Sequence, residues 1–354
     1  MLAARITKFG PPEVLQLERL PVPIPAAGEA LVRIHACGVN RMDTKLRAGV
    51  YGGEPIENFF FGRDLVLPHV PGIEPAGVVE QSNDPTVPVG TRVVPHSHLA
   101  CGRCAHCIAG HDNACPAIRV LGVQTPDRGG YAEYFTWPSA SLLPFSGALD
   151  LVTAAALLVN YGPVWNGLVE RAQVRAGETL LVTGAAGGCG HAALDVGRML
   201  GLRTLALTRS PDKRDALHAA GADLVVIDHG DDRWPQEVAD LTAGAGADVV
   251  IELVGAATFA GSVRAAALRG RVVVIGSHAG LHAALNLGEL FGKNLSLHGV
   301  TRAPQSAMAR VLALAEQRRV RPLIGAQFAL ADVVSAHRLM DDGKHTGKIV
   351  VTMN

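Results

Sequence analysis

Four cysteines in Cys101-Gly-Arg-Cys104-Ala-His-Cys107-Ile-Ala-Gly-His-Asp-Asn-Ala-Cys115 follow the spacing C-x2-C-x2-C-x7-C. Thiolates three residues apart can converge on one ion, and a fourth closes a tetrahedral set with no open position for substrate. Such soft ligands suit Zn2+ and exclude Mg2+ and Ca2+. The expectation is one structural Zn2+ on Cys101, Cys104, Cys107 and Cys115 that takes no direct part in catalysis. A disulfide cluster or scattered core thiols is the competing reading.

A second segment points to a cofactor. Thr183-Gly184-Ala-Ala-Gly187-Gly188-Cys-Gly190 follows an apolar run, Thr179 to Thr183, and opens a helix. Gly184, Gly187 and Gly190 form G-x2-G-x2-G, a variant of the dinucleotide fingerprint. The glycines permit a tight turn and close approach of backbone to a pyrophosphate, and the helix N-terminus offers free N–H groups. With Gly188, these are the expected phosphate-cradling residues. The next strand, Arg203 to Thr208, ends in Thr208, Arg209, Ser210 and Lys213, with no carboxylate at its tip and Asp212 inside the helical turn. A carboxylate there would take the ribose 2′-OH of NAD; a hydroxyl and two cations suit the 2′-phosphate of NADP(H). The alternative is ordinary solvated charge.

The elements that must position these groups fall into two regions. The first 150 or so residues carry short strands and many turns: Ala30–Gly38, Gly77–Glu80, Thr91–Val94 and Tyr131–Phe135. That pattern fits an irregular β-domain or partial barrel, with the cysteine loop inserted in it. From about Thr153, apolar strands alternate with helices: Leu224–Ile227, Asp248–Ile251 and Arg271–Gly276 continue the series. Apolar runs of this kind are buried on both faces of a parallel sheet, here a doubly wound α/β unit. Ser210 reads as a helix N-cap before Pro211, with Gly221 ending the helix. Beyond Arg302, a helix from Gln305 to Arg318 and short strands are too few for a third domain and rejoin the first. The expected division is 1–153 with 303–354, and 154–302.

With 354 residues, 48% of them hydrophobic and 18% charged, the chain can bury a large core. The 32 basic and 32 acidic residues give no electrostatic case for nucleic acid or an anionic membrane as partner. No apolar stretch reaches the length of a membrane span, and no signal peptide is apparent. Outside the cluster only Cys37 and Cys189 remain, which suits a reducing compartment, the cytoplasm. The expected partner is a small-molecule substrate.

Cys37-Gly-Val-Asn40, Pro71-Gly-Ile-Glu-Pro-Ala-Gly77, the four-cysteine loop, Gly184 to Gly190 and Gly343-Lys-His-Thr-Gly-Lys-Ile-Val350 together resemble the medium-chain dehydrogenase/reductase superfamily over essentially the whole chain. Asn160-Tyr161 and Leu290 to Leu297 look most like its quinone oxidoreductase branch. The resemblance implies a GroES-like catalytic domain, a Rossmann domain, an active cleft between them and a homodimer joined through Rossmann sheet edges. It also exposes departures. Zinc alcohol dehydrogenases place catalytic-zinc ligands where this chain has Asn40, Ile73 and, approximately, Leu158. The chain thus resembles a member that keeps the structural zinc and lacks the catalytic one. His96, His98, His69 and Glu74 offer material for a different metal site; a polar surface or satisfied core contacts is the alternative.

Without zinc's Lewis acidity, worth several kcal/mol of charge stabilisation, an alcohol–ketone exchange is hard. An enone or quinone spreads the incoming charge, and hydrogen-bond donors then suffice. The expected activity is NADPH-dependent reduction of an activated C=C or quinone. Asn40 is the first candidate donor, with helix capping as its other role; Tyr51 and Tyr161 are candidate proton donors or ordinary core tyrosines. Asp43 bridges domains or caps locally, and Cys189 fills space. By resemblance, His229 lies near the adenosine phosphate. Phe59-Phe60-Phe61, with Arg63 and Asp64, could wall the cleft, contact a subunit or pack on the sheet. Two other readings remain: an alcohol or carbonyl oxidoreductase with an absent or unusual catalytic metal site, and a catalytically silent dinucleotide-binding regulator.

Overall fold

The computed structural model describes residues 1–58, 65–125 and 127–353, so the aromatic triplet and its charged neighbours lie outside the described residues. The chain divides into two compact units, Met1–Val159 with Pro304–Asn354, and Asn160–Ala303. No described helix is long and apolar enough to cross a membrane.

In the first unit, the long strand Glu29–Val39 is the centre of a 7-stranded sheet. It pairs antiparallel with Pro75–Ser82, with Tyr134–Pro138 and with the C-terminal strand Lys348–Thr352. Its buried side chains Ala30, Val32 and Ile34 pack with Val79, Val93, Phe135 and Trp137. A second core joins Cys37, Val39, Ile349 and Val351 to Val333, Ala336 and Met340 of the helix Val333–Asp342. The strand expected at Tyr131–Phe135 begins three residues later, at Tyr134. Tyr131 instead donates its backbone N–H to Pro71 O at 3.0 Å, a loop-to-loop bond that keeps it out of the ladder.

The second unit is a 6-stranded sheet in the order Leu224–Ile227, Arg203–Thr208, Thr179–Val182, Ala247–Glu252, Ala266–Val274, Ser296–Gly299. Every neighbouring pair is parallel. This is the doubly wound order in which the chain reverses direction of build between Thr179–Val182 and Ala247–Glu252. Ligands bind such sheets beyond the carboxyl ends of the strands at that switch point. Leu181, Leu205, Val226, Val250 and Val272 fill one face of the sheet with Trp234 and Val238, and the alternating Leu180, Val182, Ala206, Val225, Val249, Ile251 and Val273 are buried on the other, which explains why these strands read as continuous apolar runs.

Candidate functional site

Three strand ends of the first unit meet at one point. The register that pairs Val39 with Ile349 places Lys348 opposite Asn40 when carried one step on, and the register that pairs Cys37 with Pro75 places Glu74 opposite Gly38. Lys348 Nζ donates to Asn40 Oδ1 at 2.6 Å and lies 2.5 Å from Glu74 Oε2. Asn40 Nδ2 donates to Glu74 Oε2 at 3.1 Å and to Gly38 O at 3.2 Å. The backbone N–H of Val159 holds the other Glu74 oxygen at 2.8 Å. All three side chains are buried, and the opposite charges of Lys348 and Glu74 compensate each other where water is excluded. Gly38 has no side chain because none fits: a Cβ there would sit 2.3 Å from Ala155 O and 2.6 Å from both Glu74 Oε2 and Lys348 Cε.

Asn40 occupies the N-cap position of the helix Arg41–Ala48, yet its amide is turned toward Lys348 and Glu74. Asp43 supplies the reciprocal cap, accepting the Asn40 N–H at 2.8 Å. So Asp43 acts locally. It also accepts from Tyr131 OH at 3.2 Å, and Tyr131 OH is 3.2 Å from His337 Nε2. Burial raises the Asp43 carboxyl to about 7, lowers His337 to about 3 and raises the Tyr131 phenol. The row is a desolvated support behind Asn40 in which His337 and Tyr131 are neutral and Asp43 gains its charge only as pH rises through about 7.

Ile73, Glu74, Ser97 and Leu158 line a small open cleft with Pro75, Val94, Pro95, Ala154 and Val159. Ile73 and Leu158 do converge beside Glu74, as the positional comparison with zinc enzymes implies, but neither carries a ligand atom. Tyr51 is buried in the hairpin formed by Val50–Tyr51 and Glu54–Pro55. The hydroxyl of Tyr161 donates to Asp195 Oδ2 at 2.9 Å inside the second unit, and burial raises its pKa. That partner makes Tyr161 a helix-to-helix tie, as in the core-tyrosine alternative that the sequence left open beside a proton donor. The four-residue alternative metal set also separates. His69 Nε2 is 2.6 Å from Gly122 O, and Glu74 belongs to Lys348, while His96 and His98 stay together.

Lys348 is not a residue that the sequence singles out. It lies within the Gly343–Val350 motif. A lysine opening an apolar strand, directly after Gly347, was the available signal: a strand start buried among Val and Ile leaves a cation in need of a carboxylate.

The sulfurs of Cys101, Cys104, Cys107 and Cys115 all lie within 4.8 Å of one another. Tetrahedral Zn–S bonds of about 2.3 Å require S–S edges of about 3.8 Å, so the set fits a zinc ion. The backbone N–H groups of Arg103 and Cys104 lower Cys101 to about 6, while burial and the neighbouring thiols push Cys107 up to about 12, so the cluster titrates as one group. No cysteine in the chain is in a disulfide.

In the second unit, Gly184 has φ +58, the left-handed turn that the loop needs. A Cβ at Gly190 would lie 2.3 Å from Ala185 O, so the third glycine lets the helix Gly188–Met199 close on the loop. Gly187 is the N-cap and provides no side-chain cap, so the first-turn amides are open to an anion. Gly188 faces the Asn160 amide, and Cys189 Sγ donates to Asn160 Oδ1 at 3.4 Å. A buried anchor holds the neighbouring strand end. Glu252 accepts from Thr183 Oγ1 at 3.0 Å, Gly255 N at 2.9 Å, Thr258 Oγ1 at 2.7 Å and Ser262 Oγ at 2.5 Å. At the next tip, Ser210 N donates to Thr208 Oγ1 at 3.1 Å, and Arg209 is exposed. Asp228 N donates to Thr208 O at 2.8 Å, which brings the exposed His229 to the same end of the sheet.

Comparison with known proteins matches two stretches of the chain. Residues 26–147 match the alcohol dehydrogenase GroES-like domain, and residues 220–351 match the zinc-binding dehydrogenase family. A quinone oxidoreductase of Lama guanicoe is 30% identical over 100% of this chain and 98% of its own length. The chain belongs to the medium-chain dehydrogenase/reductase superfamily. It is an oxidoreductase of that superfamily, with a GroES-like domain and a Rossmann sheet. The crystal structure of an NAD-dependent alcohol dehydrogenase is similar over 100% of both chains, at 35% identity and a TM-score of 0.92. A cobalt- and zinc-bound thermostable alcohol dehydrogenase from Pyrobaculum aerophilum is similar over 99% of both, at 30% identity and a TM-score of 0.85.

Proposed function

We propose that this dehydrogenase/reductase superfamily member is an NADP(H)-dependent reductase of activated C=C or quinone acceptors, working without a metal at the reacting centre. The observation that carries the reading is the ring of Asn40, Glu74 and Lys348 beside Ile73 and Leu158. Two of the positions that hold zinc in zinc alcohol dehydrogenases are hydrocarbon, and the third is an amide committed to an ammonium. This donor set does not fit a catalytic zinc.

When bound, the nicotinamide supplies the hydride. The chain's own groups handle charge. The Lys348 ammonium on Asn40 Oδ1 polarises that amide and strengthens its N–H as a donor. Both Nδ2 bonds are at the long end of the normal range, at 3.1 and 3.2 Å, so the amide can share a proton with an acceptor oxygen. An enolate or phenolate oxygen needs no more than such a donor. Gly184, Gly187, Gly188 and Gly190 would cradle the pyrophosphate, and Thr208, Arg209, Ser210 and Lys213 the 2′-phosphate, with His229 alongside.

The four thiolates support one structural Zn2+, and the metal-bound Pyrobaculum aerophilum relative supports a zinc-binding lineage. The edge strand Ser296–Gly299, with Leu297, Leu287 and Phe291 exposed, supports a homodimer. Six free cysteines support the cytoplasm as location.

The resemblance to an NAD-dependent alcohol dehydrogenase favours a second reading, alcohol–carbonyl exchange. Steady-state turnover of NADPH against quinones, enones, aldehydes and simple alcohols separates the two. Reduction of quinones or enones is expected; rapid oxidation of simple alcohols with no turnover of any enone or quinone would refute the proposal.

A further inference from the structure

His96 and His98 stand two residues apart on one short segment, and their rings lie together, with centroids 3.9 Å apart. The segment is pinned from both directions. His96 N donates to Ser141 O at 2.7 Å, and His98 pairs with Val120. Opposite them stands Asp112, from the turn Asp112–Ala114 inside the cysteine loop. Asp112 Oδ2 is 3.6 Å from His96 Nδ1 and 3.4 Å from His98 Nε2. The other carboxylate oxygen is held by Gln305 N at 3.1 Å.

Those two separations can be set against the lengths of a tight ion pair and of a metal edge. A charge-assisted N–H···O bond closes to about 2.7–2.9 Å. Two ligands bound at about 2.0–2.2 Å to one tetrahedral ion stand about 3.4 Å apart. The observed values match the second case. All three ligand atoms lie within 4.8 Å of one another. The Gln305 N–H orients the carboxylate from behind, as an outer-shell partner does for a metal ligand. Both imidazoles are buried, while the Asp112 side chain is 20% exposed, which leaves an entry path for an ion.

We infer that His96, His98 and Asp112 form a second divalent-metal site of the Zn2+ or Co2+ class, separate from the four-thiolate centre. Two imidazoles and one carboxylate suit a borderline ion, with the fourth position left to water. Having three protein ligands in place of four, the site binds more weakly than the thiolate set and fills on top of it. Its effect is mechanical: the ion fastens Asp112, and so the cysteine loop, to the segment whose middle residue, Ser97, lines the cleft.

The test titrates the purified, zinc-loaded protein with Zn2+ and, in parallel, Co2+. A further saturable equivalent per chain is expected, which raises the melting temperature. Its Co2+ spectrum should show weak visible bands and none of the thiolate-to-cobalt charge transfer of the cysteine site. Asp112→Asn should lose both the equivalent and the thermal gain while keeping the thiolate-bound metal. His98→Gln, which preserves volume, provides a second variant if Asp112→Asn folds poorly. Glu74→Gln should retain the equivalent. A single equivalent at saturating Zn2+ would overturn the inference. So would a second equivalent that survives both Asp112→Asn and His98→Gln. Loss of the equivalent in Glu74→Gln alone would place the ion at the Lys348 ring, overturning both this site and the metal-free reading of the reacting centre.

Discussion

Lys348 and Asn40 are 308 residues apart in sequence and 2.6 Å apart from Nζ to Oδ1. Their meeting follows from the antiparallel register of the strands Glu29–Val39 and Lys348–Thr352. The relationship turns an asparagine at a helix start into a polarised donor, and it makes the C-terminal strand part of the candidate site.

Asn40→Ala should lower kcat on an enone or quinone by roughly 10²-fold, the loss typical of one well-placed donor to a developing oxyanion. Cofactor affinity should be nearly unchanged. Steady-state kinetics with a separate fluorescence titration of NADPH will check it; an unaltered kcat refutes the role.

Lys348→Met keeps the unbranched chain, one atom shorter, and deletes the charge. The buried Glu74 carboxylate then lacks its cation, a change that destabilises by several kcal/mol when one partner of a buried pair is removed. The double variant Lys348→Met/Glu74→Gln should recover most of the melting temperature. It should not recover kcat, because the amide stays unpolarised. Full recovery of both would reduce Lys348 to a structural partner.

NADPH should bind more tightly than NADH, with Arg209→Asp erasing or inverting the preference. The substitution replaces an attraction for the 2′-phosphate with a repulsion. Equal affinities in the unaltered protein at physiological salt would refute the assignment of Thr208, Arg209, Ser210 and Lys213.

Removing the thiolate-bound zinc should cost stability in preference to chemistry. A structural zinc site contributes on the order of 10 kcal/mol where folding depends on the ion. Cys104→Ser should lower the melting temperature or the soluble yield. Metal analysis with calorimetry provides the check, and an unchanged melting temperature after zinc loss refutes it.

Asp43 gives a pH signature of definite sign. Its carboxyl titrates at about 7 in the folded protein, because burial disfavours the charged form, against about 3.9 when unfolded. The folded state holds this proton more tightly, so the associated stability is complete below about pH 4 and is lost as pH rises through 7. Asp43→Asn should flatten that decline. A melting profile between pH 4 and pH 8 with the same slope in both proteins would contradict the assignment.

Local chemistry was legible from sequence alone. Cysteine spacing predicts the thiolate cluster because ligands within one loop can reach a common ion without knowledge of the rest of the chain. Continuous apolar strands and the glycine turn predict the parallel sheet, since burial on both faces leaves a one-dimensional trace. The oxidoreductase superfamily was likewise readable from its motifs. Asn40 was singled out by position, but its partners were not, because pairing across strands depends on register, and register emerges only when the sheet forms. The same holds for Lys348 with Glu74, and for Asp112 with His96 and His98. Tyr161 shows the converse: sequence left it either a proton donor or a core tyrosine, and the fold brings Asp195 within 2.9 Å of its hydroxyl. Sequence determined which chemical groups this protein owns and the elements that carry them. Tertiary structure decided which groups face each other, because hydrogen bonds and ion pairs act over a few ångströms that only the folded chain defines.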